Sequence, residues 1–171
     1  MDVVADLMRV MVSGDNLTAL GKSVGIDKDR AQSLLRVSLP LVVGSMATTA
    51  SKPGGAEMLT QMLTQAGGNN PMDNLGGFLS NPMAAGGSAM ASSIFGSQLD
   101  TMQNVIAQKS GFPPGVVAKV MAIAVPMVIG YFGKQNITPA GLPKFLGDQS
   151  KMAMKTSPEA ATLFKNLMAI K

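Results

Sequence analysis

The sequence predicts an all-α protein: a multihelical array in which two pseudo-repeated helical units, residues 20–60 and 106–146, share one core. Three observations predict it. Apolar residues recur every three or four positions through most of the chain. Asp, Ser, Pro and Gly stand where helices begin and end. The second half also matches the first at a fixed offset of 86 residues.

The first element is an amphipathic helix from Asp2 to Val12, capped by Asp2, with Val3, Leu7 and Met11 at helical spacing and Gly14 as its end. Asp15 or Asn16 caps a second helix, whose apolar side is Leu17, Leu20 and Val24. Gly25 fits the left-handed position just beyond it. Asp27 starts a longer helix with Ala31, Leu34, Leu35, Leu39, Val42 and Met46 on its apolar face. Pro40 lies inside that helix, removes one backbone hydrogen bond and predicts a kink or break near Ser38. Pro53, Gly54 and Gly55 open a fourth helix bearing Met58, Leu59, Met62 and Leu63.

The composition then changes. Residues 66–93 are rich in Gly, Asn, Ser, Ala and Met and carry Asn-Pro-Met twice, at 70–72 and 81–83. This reads as a flexible or loosely helical linker, anchored by Leu75, Phe78 and Leu79. Order resumes at Ile94-Phe95-Gly96, and Asp100 caps a helix with Met102, Val105 and Ile106. In the tail Ser157 caps, Pro158 takes the first helical position, and Thr156 and Glu159 have capping-box spacing. Leu163, Phe164, Leu167 and Met168 form the apolar face of this last helix, and Lys165 and Lys171 lie toward its end. The expected organisation is an N-terminal unit (1–65), a linker (66–93), a C-terminal unit (94–150) and an added helix (151–171), all in one domain.

At the offset of 86, Gly25 falls on Gly111, Pro40 on Pro126, Gly44 on Gly130, Pro53 on Pro139 and Gly55 on Gly141. Apolar residues meet between these anchors: Ile26 with Phe112, Leu34 with Val120, Leu39 with Val125, Met46 with Phe132, Leu59 with Phe145. Gly and Pro make special demands on the backbone, so their coincidence argues for a repeated chain path.

Composition narrows the chemistry. The 171 residues include no Cys and no His, which removes disulfides, thiolate nucleophiles, the commonest metal ligand and the commonest general base near neutrality. Neither a cofactor nor a catalytic site is expected. The net charge of +4 is uneven: residues 53–108 hold no Lys or Arg, while residues 109–171 hold eight Lys against Asp148 and Glu159. The N-terminus lacks the basic start of a secretory peptide. The most apolar stretch, Val120 to Gly133, has 14 uncharged residues, fewer than the roughly 20 a membrane-spanning helix needs. It reads as a core helix, and the expected location is the cytoplasm.

Candidate binding motifs are few. Residues 20–35 have the outline of a helix-turn-helix, whose second helix would present Lys28, Asp29, Gln32, Ser33 and Arg36. Two of the acids there, Asp27 and Asp29, would face phosphates, and the matching segment in the second half offers only Lys119. Lys28, Gln32, Arg36 and Lys119 are therefore the candidate nucleic-acid contacts. Gly21-Lys22-Ser23 echoes the end of a phosphate loop, but the preceding segment is helical and the earlier glycine is misplaced. The 15 methionines suit an adaptable core or a contact surface better than a site for a soft metal.

Several segments, taken in order, are similar to a known family. They are Leu20-Gly-Lys-Ser-Val-Gly-Ile-Asp, Leu39-Pro-Leu-Val-Val-Gly, a Gly-rich middle, Ile94-Phe95-Gly96 with Gln98, Ile106-Ala-Gln-Lys-Ser-Gly-Phe-Pro, Val125-Pro-Met-Val-Ile-Gly-Tyr-Phe-Gly-Lys and Gly141-Leu-Pro-Lys-Phe-Leu-Gly-Asp-Gln. Over residues 1–150 the chain resembles the YidB-like bacterial proteins, also called domain of unknown function 937. The resemblance implies a multihelical fold and no particular activity. The high methionine content and the helix after residue 151 depart from its pattern. The functional expectation is a non-enzymatic protein that binds a protein partner or another copy of itself, through a groove lined by Leu and Met that accepts an amphipathic helix. The alternative is nucleic-acid association through the Lys-rich C-terminal third.

Overall fold

The computed structural model describes residues 3–13, 15–66, 75–80, 87–96, 98–135 and 137–169. These residues form ten α-helices, with no strand among them: α1 (Val3–Val12), α2 (Asn16–Val24), α3 (Lys28–Ala50), α4 (Gly55–Ala66), α5 (Leu75–Ser80), α6 (Gly87–Phe95), α7 (Gln98–Ser110), α8 (Pro114–Gly133), α9 (Leu142–Thr156) and α10 (Pro158–Ala169). The all-α class is as the periodicity requires.

Two long helices form the centre. Every residue from Val37 to Met46 in α3, and from Val120 to Gly130 in α8, is buried. These two stretches are therefore wrapped on all sides, whereas the first turns of α3 keep charged residues exposed. The wrapping crosses the chain: α9, from the C-terminal half, packs on α3, while α4, from the N-terminal half, packs on α8. α6 touches both long helices, and α10 lies on α3 and α7. A T-shaped pair, Phe132 on α8 and Phe145 on α9, ties this layer together with ring centroids 5.4 Å apart.

The entry to α3 follows from its residue types. Gly25 adopts φ +82°, and the N–H groups of Gly25 and Ile26 both donate to the Gly21 carbonyl, at 2.8 and 2.9 Å. A side chain at Gly21 would place its Cβ 2.5 Å from the Ile26 carbonyl oxygen. Asp27 then caps α3, its carboxylate accepting the Arg30 N–H at 2.8 Å. In the second half Gly111 has φ +79°, and Pro113 and Pro114 lead into α8.

At the offset of 86, Lys28 and Pro114 open the two long helices, and Pro40 and Pro126 occupy the same position inside them, both buried. Gly44 and Gly130 are buried beside their neighbours. The match loosens afterwards. Pro53 and Pro139 are both exposed, but Gly55 is buried where Gly141 is exposed, and α4 begins at Gly55 while α9 begins one matched position later, at Leu142. A Cβ on Gly55 would lie 1.8 Å from the Thr49 carbonyl oxygen, whereas one on Gly141 would meet nothing closer than the Thr138 hydroxyl at 3.3 Å.

Several expectations are corrected. α3 runs through Pro40 without a break, because burial of this stretch beneath α8, α9 and α10 holds the helical path that proline alone would disfavour. Asp15 stands at the cap position of α2 but makes no capping bond; the Asn16 side chain instead donates to the Val10 carbonyl at 2.8 Å. α7 starts at Gln98, so Asp100 lies in its first turn, where the helix dipole favours an acid, and does not cap it. Within 66–93, read as a flexible or loosely helical linker, the expected anchors Phe78 and Leu79 are buried on α5, which rests on α2, with the Ser23 hydroxyl donating to the Leu79 carbonyl. α6 buries Ala91, Ile94 and Phe95. At the last helix Ser157 caps as expected, accepting the Ala160 N–H at 3.4 Å. The proposed cap Asp2, the terminator Gly14, both Asn-Pro-Met triplets and Lys171 lie outside the described residues, as do the side chains of Leu75, Thr156, Glu159, Leu163, Leu167 and Met168.

One buried polar atom in α3, the hydroxyl of Ser38, has no hydrogen-bond partner among the described residues. An unsatisfied buried hydroxyl costs about 1–3 kcal/mol. Ser38→Ala is expected to stabilise the protein by about 1 kcal/mol and raise Tm by about 2–4 °C, read by thermal denaturation. Gly21→Ala is expected to cost about 1–3 kcal/mol, since the new methyl meets a backbone carbonyl that cannot step aside. A urea melt showing Gly21→Ala as stable as the parent would contradict the turn described.

Candidate partner-binding furrow

Helix α1 carries two adjacent apolar stripes. Val3, Leu7 and Met11 are fully buried and face the core. Val4, Met8 and Val12, one residue further on and therefore about 100° round the helix, face a cleft. The cleft has a volume of about 670 Å³. Its first wall is Val4, Ala5, Met8, Arg9, Val12 and Ser13; its second is Gln32, Arg36 and Pro40 of α3; Ala153 of α9 and Ser157 also line it. Both walls recur once per helical turn over three turns, so the cleft is a furrow about 12–14 Å long. Val12 keeps 51% of its surface exposed at the lip.

Polar bonds fix α1 in place. The Val3 N–H donates to the buried Gln149 side chain of α9 at 2.9 Å. The Asp6 carboxylate accepts the Tyr131 hydroxyl of α8 at 2.8 Å and the Arg9 guanidinium at 2.6 Å. Burial pushes the Tyr131 phenol up to about 12; the hydrogen bond to Asp6 and that carboxylate's charge add to the rise, and Arg9 acts against it.

The furrow is electropositive. Arg9 and Arg36 line it, and no acid does so among the described residues. Arg9 is paired with Asp6, while Arg36 is exposed and has no ion pair among the described residues.

The four residues singled out for nucleic acid separate. Gln32 and Arg36 enter the furrow; Lys28 and Lys119 are exposed on α3 and α8 and do not line it. Gly21-Lys22-Ser23 lies within α2, with Gly21 closing the turn and Ser23 holding α5. Of the repeat anchors, only Pro40 borders the furrow. Sequence reasoning identified the buried stripe of α1 and missed the second one. The available signal was the width of the apolar face: Val4, Met8 and Val12 add a row that a helix resting on one layer does not need.

Fold and furrow together define an all-helical module with a solvent-open apolar trough, and with no cluster of three or more acids able to hold a metal among the described residues. The chain belongs to a bacterial family of unknown function, DUF937, which matches residues 6–135. The match takes in α2 to α8 and most of α1. No curated protein and no solved structure matches the chain. Two helices, Lys28–Ala50 and Pro114–Gly133, are long and apolar enough to cross a membrane, and 72% of an apolar 18-residue stretch of each is buried in the fold, as in a core helix.

Tyr131 reports on the α1 clamp, because it is the only tyrosine and the chain has no tryptophan. Its ionisation, followed by absorbance near 295 nm, is expected to centre well above 10. Asp6→Asn should bring the midpoint down part of the way, since burial remains. The folded phenol's pKa is raised, so the clamp's contribution to stability is complete below pH 10 and is lost as pH rises toward 12. A parent midpoint at 10 would show that the phenol is not held as described.

Proposed function

We propose that the protein is a non-enzymatic interaction module that seats an amphipathic helix, from a protein partner or from another copy of the chain, in the furrow between α1 and α3. The observation that carries this reading is the open cleft lined by Val4, Met8 and Val12, with Val12 half exposed at its lip. An exposed apolar trough on a small helical protein marks a contact surface more often than it serves stability. The lack of His and Cys supports a role in binding over catalysis.

A photo-crosslinking residue at position 12, with the same residue at exposed position 22 on α2 as control, tests the reading. Position 12 is expected to give a discrete adduct in cells that position 22 does not. Val12→Asp should abolish binding of the purified adduct partner to the purified protein. Equal labelling at both positions would count against the furrow. Light scattering after size exclusion separates the two sources, because a strict monomer at tens of micromolar leaves only a different partner.

A second reading, nucleic-acid association, is favoured by one observation. Lys144, Lys151 and Lys155 are exposed and fall on one side of α9, with Asp148 among them. If these lysines neutralise three phosphates, affinity should fall with salt at a log–log slope of about −3. Absence of any duplex DNA or RNA mobility shift at low salt removes this reading.

A further inference from the structure

We infer that the furrow selects a partner helix carrying carboxylates on both edges of its apolar stripe, set to meet Arg9 and Arg36. This rests on the reading of the furrow as a helix-binding site, and adds the chemistry of the occupant.

The α1 wall is built in three rungs, Val4 with Ala5, Met8 with Arg9, and Val12 with Ser13. The α3 wall also has three: Gln32, Arg36 and Pro40. Each arginine occupies the middle rung of its wall, so a helix lying along the furrow passes between two cations at mid-length. The other lining residues are apolar or neutral. Arg36 has no ion pair among the described residues. Arg9 gives one contact to Asp6, but a guanidinium has five N–H donors and this side chain is 77% exposed.

Two cations on opposite walls call for two anionic groups separated by the width of the ligand. A fatty acid brings one carboxylate at one end of its chain and would leave one arginine unused. Nucleic acid would answer the arginines but not the apolar lining of Val4, Met8 and Ala153. A helix with apolar residues at a and d and acids at e and g satisfies both. Covering the furrow would also exclude water from the carboxylate–guanidinium pairs and strengthen them.

The experiment is selection from a displayed library of helical peptides, with apolar residues at a and d and random residues at e and g, against the full chain. The parent is expected to enrich Asp and Glu at both e and g. The tightest selected peptide, made synthetically, should lose tenfold or more in affinity to Arg9→Gln and to Arg36→Gln. Arg36→Glu should turn the preference to Lys or Arg on one edge only. Circular dichroism checks that these surface variants fold, and Val12→Asp is the blocked-furrow control. Peptides that bind in the furrow without an acidic bias, or that ignore both arginine changes, overturn this inference while leaving the furrow reading intact. Failure to enrich any peptide sensitive to Val12→Asp overturns both. Saturable binding of a fluorescent dodecanoate that competes with the peptide and needs one arginine alone would assign the furrow to an acyl carboxylate and overturn the acidic-helix assignment. A dimer that buries the furrow and excludes the peptide would assign it to a second copy.

Discussion

The stretches 37–46 of α3 and 120–130 of α8 are buried around their full circumference, and segments of that kind cannot lie on a surface. Their neighbours in sequence cover them only in part: α2 and α4 pack on α3, and α7 on α8. The chain meets this constraint by exchange, with the helix that follows α3 covering α8 and the helix that follows α8 covering α3. α6, α7 and α10 fill the remaining sides. The low charge and the supply of Met, Ala and Val suit such an interior, because small and flexible apolar residues let helices approach closely. Gly44 shows how closely: a Cβ there would come within 2.9 Å of the Phe164 ring and 3.1 Å of the Met154 methyl.

Much of this was legible because the local signals are chemically unambiguous. Gly25 and Gly111 take the left-handed backbone that glycine tolerates best, Asp27 caps, and Ser157 with Pro158 starts α10. Elsewhere tertiary packing overrode local preference. Pro40 does not interrupt α3, and residues 75–80 and 87–95 are helical in a segment whose composition reads as a linker. Their readable trace was the pairs Phe78-Leu79 and Ile94-Phe95, all four buried, which dock short helices without needing a long periodic pattern.

The furrow was less legible, for a physical reason. Its walls come from α1 and α3 and part of its lining from α9, so it exists only once the exchange of helices is complete. Within α1 the second apolar row was visible, but nothing local shows whether such a row meets core or solvent. Arg36 was picked out as a base or phosphate contact; its neighbours in space, Met8, Val12 and Pro40, give it a different setting.

The exchange of covering helices has a consequence for synthesis. α3 is complete at Ala50, but α9 leaves the ribosome only after residue 142 has been added. At ordinary elongation rates the interval is on the order of ten seconds. For that time the stretch from Val37 to Met46 lacks its final shelter, far longer than a helix takes to form. The nascent chain, not the finished protein, is therefore the form most exposed to aggregation and most dependent on chaperones.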